Sequence, residues 1–278
     1  MNSEFSTILI PVDFTINTEV AVKRALSFAV PGTTTIHLLH VDSAPGSLSR
    51  VRRLLDPEHH SDLPSPEKKI AQWKTTIEET RPDINVCCWI SRGDDVQRAI
   101  IAKIKKLLPD LIIIGKRSNH TWLPFLKTVN PTTLINQNGA AVLTVKPGSL
   151  HHNIRTIVVP VAEHVPHQKM EVISMLGRKM KLKIHLVSFV KGDEIPPDFS
   201  AGPLLQMYQW LKNVQNCPVE YAVLHGSSKS KAFLAYAEKI GADMLLLQPE
   251  AETKTGWPGR DISDLLPPDS RTQLMAVS

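Results

Sequence analysis

Asp13 closes the apolar run Ile8-Leu9-Ile10-Pro11-Val12, and Gly115 closes another, Leu111-Ile112-Ile113-Ile114. A carboxylate and a glycine at the carboxyl ends of two buried strands are what an open α/β sheet uses to hold a ligand. The acid accepts hydrogen bonds, and the glycine admits a close backbone approach. Each also has a plain structural use: Asp13 can cap a helix before Thr15, and Gly115 can serve as a strand-to-loop turn.

The remaining chemistry-bearing residues point to no reaction. His59-His60 and His151-His152 are adjacent pairs in loop-like stretches. Sequence neighbours rarely aim at one ion, so solvated imidazoles are expected and a metal is not. His37, His40 and His185 lie in apolar runs, where hydrogen bonding in the core or crevice is their expected work. Cys87-Cys88 lies in a strand, one thiol to each side, with no cause for a lowered pKa. The chain has no G-x-S-x-G elbow, no P-loop, no HExxH and no G-x-G-x-x-G after a strand. No enzymatic activity, and no catalytic residue, is expected.

The elements that must carry these residues follow from periodicity. Thr7 to Val12, Thr35 to Val41, Ile84 to Ile90, Leu111 to Ile114 and Ala141 to Val145 are short runs rich in Ile, Val and Leu with little polar alternation. They read as parallel strands buried on both faces. Between them, Val22/Ala25/Leu26/Ala29, Ile70/Trp73/Ile77 and Val96/Ile100/Ile104/Leu107 recur at helical spacing. Ser65-Pro66 and Asn130-Pro131 put a side-chain acceptor at an N-cap and a proline at the first helical position. The polar stretch from Asp42 to Pro64 is long for a connection and is expected to include a mobile flap.

The pattern then repeats. Ile8 to Val12 is echoed by Ile157-Val158-Val159-Pro160-Val161, and Ile36-His37-Leu38-Leu39 by Ile184-His185-Leu186-Val187. Pro109 to Ile114 is echoed by Ala242-Asp243-Met244-Leu245-Leu246-Leu247, and Gly93 by Gly226. A period of one ordinary domain means a duplication rather than a solenoid. The boundary falls near Lys146 to Asn153, giving domains 1–148 and 149–278.

Composition narrows the setting. The chain has 278 residues, 42% of them hydrophobic, enough for two cores. No apolar run reaches the roughly 18 to 20 residues of a membrane span, and the polar start is not that of a secretory leader. Three cysteines make no disulfide framework. The expected location is the cytoplasm. A net charge of +5 is scattered along the chain, so nucleic acid is not the expected partner.

The first copy resembles the universal stress protein family from end to end. The likeness is carried by Ile8 to Asp13, by Leu38-Leu39-His40-Val41, by the Gly93-Asp94 turn, by Asp110 to Gly115, and by Asn138 to Val145 as the final strand. The second copy is similar more weakly. The resemblance implies an α/β fold of two tandem doubly wound, Rossmann-like domains of the adenine nucleotide alpha hydrolase type. Each would have a five-stranded parallel sheet of order 3-2-1-4-5, and the two would pair through their last strands. It also implies a role in stress tolerance.

Members that bind ATP are similar in a motif of Gly, two residues, Gly, nine residues, Gly, then Ser or Thr, whose amides and hydroxyl cradle phosphate. Here Gly115 holds the first position, but Ser118, Thr128 and Val129 stand at the other three. Asp13 resembles the base-contacting acid. In the second copy Ala162 replaces Asp13, Gln248 replaces Gly115, Ala251 falls at the second glycine, and Arg260-Asp261 fall at the Gly-Ser pair.

The expected function is therefore a non-catalytic interaction or regulatory module of the stress response that has largely lost ATP binding. It would act through protein partners and intramolecular pairing of its domains, with a homodimer as a further assembly and no cofactor. The rival reading is a sensor of AMP-type or ATP-type adenine nucleotides in the first domain only. Its residual crevice would be formed by Asp13, Val41, Gly115, Ser118 and Thr128.

Overall fold

The computed structural model describes residues 4–42, 64–93, 95–116, 129–162, 164–165, 167–192, 201–215, 217–248 and 262–278. The expected flap at 43–63 lies outside them, as do Asp94, Ser118, Thr128 and Arg260-Asp261.

The first half runs β1 (Thr7–Pro11), α1 (Ile16–Phe28), β2 (Thr35–Asp42), α2 (Pro66–Thr80), β3 (Asn85–Arg92), α3 (Val96–Leu107), β4 (Leu111–Gly115), α4 (Pro131–Asn138) and β5 (Ala141–Val145). The second half runs β6 (Thr156–Pro160), α5 (His167–Lys179), β7 (Lys183–Lys191), α6 (Gly202–Trp210), β8 (Val219–Gly226), α7 (Lys229–Lys239), β9 (Met244–Leu247) and β10 (Gln273–Ala276). Where the first half has α4, the described residues of the second hold a short 3-10 turn, Ile262–Asp264. The helix starts are capped as the sequence predicts. Ser65 Oγ accepts from Lys68 N at 3.4 Å, and Asn130 Oδ1 accepts from Thr132 N at 2.9 Å, each followed by proline.

Ten strands form one sheet in the order β3-β2-β1-β4-β5-β10-β9-β6-β7-β8. Each half keeps parallel pairing in the order 3-2-1-4-5, and the halves meet where β5 and β10 pair antiparallel, Thr144 opposite Leu274 and Val142 opposite Ala276. Two layers of helix cover this sheet differently. On one face α1, α2, α5 and α6 bury a single apolar core that runs through both halves, from Ile70 through Ile10, Leu143 and Met275 to Leu204. On the other face there are two cores, one under α3 and α4 and one under α7 and the 3-10 turn.

Strand burial departs from expectation at the sheet margins. β4 and β5 are buried at every position, whereas β3 buries only Val86, its other residues being half-buried or exposed, and leaves Trp89 37% exposed. An edge strand has one neighbour instead of two, so the apolar run from Ile84 to Ile90 is only partly covered.

The echo between Asp110 and Asp243 has a physical cause. Asp110 Oδ2 accepts from Ser6 N, Thr7 N and Ser6 Oγ at 2.9, 2.9 and 2.6 Å, tying the start of β1 to the start of β4. Asp243 Oδ2 does the same for β6, accepting from Arg155 N and Thr156 N at 3.0 and 2.9 Å. Each carboxylate satisfies backbone donors where a strand enters the sheet.

Candidate functional site

The carboxyl ends of β2, β1 and β4 lie side by side, which brings Val41, Asp13 and Gly115 to one rim of the first half. Val41 is buried in the core under α3. Asp13 turns toward the first turn of α1. Its Oδ1 accepts from Thr15 N, Thr15 Oγ1 and Thr18 Oγ1 at 3.0, 2.6 and 2.9 Å, and its Oδ2 accepts from Asn17 Nδ2 at 3.0 Å. Thr18 Oγ1 also accepts from the amides of Asp13 and Phe14, both at 3.0 Å. The carboxylate thus organises a helix start, where a negative group is favoured and the first amides lack partners.

Gly115 is needed for a reason periodicity cannot show. A β-carbon there would fall 2.1 Å from the carbonyl oxygen of Asn17. β4 and the start of α1 touch backbone to backbone, and only glycine fits. Asn17 sits between the two, 9% exposed, with its Nδ2 on Asp13 and its Oδ1 without a hydrogen-bond partner. Beside it Phe14, at φ 59°, lays its ring 4.4 Å from that of His40, whose Nδ1 bonds Val12 O at 3.0 Å. Val129, at the motif's hydroxyl position, is 1% exposed and packs into the core under α3 and α4.

The second half keeps the scaffold and changes the occupants. Ser188 Oγ bonds Val161 O at 3.1 Å, as His40 bonds Val12 O in the first half. Lys169, at the place of Thr18, is fully buried and donates from Nζ to Pro160 O at 2.7 Å. An ammonium at the end of β6 thus stands where the first half has a carboxylate and hydroxyl at the end of β1.

His37 and His185 are held by hydrogen bonds within the fold. His37 Nδ1 accepts from Trp89 Nε1 at 3.0 Å, and burial, aided by the charge of Lys103, lowers its pKa. His185 Nδ1 lies 3.1 Å from Tyr236 Oη, and burial lowers its pKa against the opposing pull of Glu220. Burial raises the thiol of Cys88, so it is no ready nucleophile. His59-His60 lie outside the described residues, and among those residues no group of His, Cys, Asp and Glu could hold a metal. Ser118 and Thr128 also lie outside, so the structure brings together Asp13, Val41 and Gly115 of the five candidates.

Sequence reasoning missed four residues. Arg24, Lys116, Lys146 and Lys169 are all buried charges, and Lys or Arg in a helix or at a strand end gives no signal of burial in a single sequence.

The family model described as the universal stress protein family matches residues 4–146. The chain belongs to the universal stress protein family. Among solved structures, a universal stress protein from Archaeoglobus fulgidus DSM 4304 is 14% identical, with 98% of each chain covered and a TM-score of 0.68. A functionally unknown protein from Pseudomonas aeruginosa PAO1 is 15% identical over 99% of this chain and 93% of its own, with a TM-score of 0.56. The cytoplasmic domain of a prokaryotic cation chloride cotransporter is 10% identical over 98% and 95%, with a TM-score of 0.57. At these identities the likeness is one of fold. No curated protein sequence matches the chain. No helix among the described residues is long and apolar enough to cross a membrane.

Proposed function

We propose that this chain is a tandem universal stress protein, with domains 1–148 and 149–278, that serves the stress response as a non-catalytic interaction or regulatory module and has largely lost ATP binding. The observation that carries this reading is the engagement of Asp13. Four hydrogen bonds from Thr15, Asn17 and Thr18 hold its carboxylate on the start of α1. The burial of Val129 supports it, because an apolar side chain at the hydroxyl position contributes to the core and offers phosphate no donor. In the second domain the side chains of Lys169 and Ala162 supply no acceptor for an adenine base. A cytoplasmic setting, with protein partners and no membrane or nucleic acid, belongs to this reading, and the edge strands β3 and β8 leave room for a homodimer.

One observation favours a second reading, an adenine nucleotide or nucleoside in the first domain alone. Asn17 Oδ1 is a buried acceptor without a partner, beside Asp13 and Gly115, and an orphaned acceptor carries a desolvation cost that a ligand N–H would remove. A thermal-shift titration with ATP, ADP, AMP and adenosine, with and without magnesium, decides between them. No shift that depends on Asp13 or Asn17 is the expected result with any of the four. A shift with ATP that disappears in Asp13→Ala overturns the proposal, and a shift with adenosine or AMP that disappears in Asn17→Leu establishes the second reading instead.

A further inference from the structure

The sheet is sealed differently on its two faces where the halves join. On the α1 and α5 face, Leu143, Val145 and Met275 continue one apolar core across the seam. Side chains alternate along strands, so Thr144 and Lys146 of the first half point to the other face, together with Lys116, which follows Gly115. There the two separate cores are divided by a polar strip. Lys116 Nζ lies 2.7 Å from Asp264 Oδ1 and 3.4 Å from Ser263 Oγ, both from the 3-10 turn that stands in place of a helix in the second half. Lys146 is 0% exposed, and its Nζ has no hydrogen-bond partner.

Two ammonium groups therefore share one carboxylate in a strip that is buried at both lysines and reaches solvent at Asp264, whose side chain is 21% exposed. An unpaired buried charge costs several kcal/mol, and such groups persist where a counter-charge is supplied. Among the described residues the cluster lacks one negative charge, and its spare donors are lysine ammoniums, the usual point-charge partners of phosphate.

We propose that Lys116, Lys146 and Ser263 form a site at the seam between the two halves for a small tetrahedral oxyanion of the phosphate class. It uses residues of both halves, lies on the opposite face of the sheet from α1 and Asp13, and depends on side-chain charge rather than on a glycine loop. The oxyanion can be free phosphate or the phosphoryl group of an ester, since the recognised chemistry is the same. Burial, reinforced by Lys116 and opposed by Asp264, brings the pKa of Lys146 down to about 8, so the anion should bind best below that pH.

Isothermal titration and thermal shift with inorganic phosphate, at pH 7 and constant ionic strength set by chloride, test this on the full chain. Wild type should bind phosphate and gain melting temperature, while chloride alone has no such effect. Lys146→Met and Lys116→Met should each weaken binding by about tenfold or more, the scale of one lost charge-assisted hydrogen bond. Asp264→Asn, which removes the competing carboxylate, should enlarge the phosphate shift, and it remains informative if a lysine variant fails to fold. AMP binding as phosphate does, with adenosine silent, would extend the site to phosphate esters. Failure of wild type to bind phosphate, binding as tight as wild type in both lysine variants, or a smaller shift in Asp264→Asn would overturn the proposal. Loss of Asp13 leaves phosphate binding unchanged, so this result and the nucleotide titration can fail independently.

Discussion

The α-carbon of Gly115 faces the carbonyl of Asn17 so closely that an added β-carbon would stand 2.1 Å from its oxygen, with the Asn17 carbonyl carbon 2.6 Å away. Those neighbours are backbone atoms at the start of α1, which cannot swing aside as a flexible side chain would. Packing alone therefore requires glycine at position 115.

Gly115→Ala should therefore destabilise the protein by about 1–3 kcal/mol through overpacking. Gly93, where an added β-carbon meets nothing within 4 Å, is the control. Gly93→Ala should stay within about 0.5 kcal/mol of wild type, as surface changes do. Urea midpoints at constant m-value give both numbers, and equal midpoints for the two variants would refute the packing argument.

Asp13→Ala removes all four hydrogen bonds that the carboxylate accepts at the start of α1. A loss of about 1–2 kcal/mol is expected, the scale of a good helix cap. Thermal melts without nucleotide measure it. A variant as stable as wild type would show that the carboxylate is held for a ligand rather than for the helix.

Asp243 should matter more than Asp110. Besides its two strand amides, Asp243 is paired with Arg271, and its charge supports Arg24, whose pKa burial lowers to about 10. Asp243→Ala leaves the buried Arg24 guanidinium without this counter-charge and the exposed Arg271 without its partner, and should cost about 3–5 kcal/mol. Asp110→Ala loses hydrogen bonds from Ser6 and Thr7 only, at about 1–3 kcal/mol. Chemical denaturation of the two single variants ranks them, and the reverse order would sink the account.

Lys146 gives stability a pH dependence of known sign. Its pKa is lowered from 10.5 to about 8 in the folded protein, so the native state gives up this proton before the unfolded chain does. The penalty is complete below pH 8, shrinks between pH 8 and 10.5, and is absent above, with a size of about 3 kcal/mol from the shift. In phosphate-free buffer Lys146→Met should be the more stable protein at pH 7, and its advantage should fade as pH rises toward 10.5. A difference independent of pH would show that the lysine is not the titrating group.

Much of the fold was legible because its causes are local. The β4 and β5 runs are apolar at nearly every position because helices cover both faces, and that pattern is written residue by residue in Leu111 to Ile114 and Ala141 to Val145. The proline-led caps at Ser65 and Asn130 are likewise fixed by neighbours in sequence. The repeat of Pro109-Asp110 in Ala242-Asp243 was visible, but its work at the entry of β1 and β6 was not, since it joins residues 104 and 88 apart in sequence, respectively, only through the folded sheet.

By itself, then, the sequence determined two α/β units and their strand and helix pattern. The tertiary structure decided the roles of the polar groups. It turned Asp13 onto a helix start, pressed Gly115 against Asn17, and enclosed Lys146 beside Lys116 and Asp264 at the joint of β5 and β10. Periodicity reports which side of an element is buried, but whether a buried charge has a partner depends on chain segments distant in sequence, and only their packing brings those together.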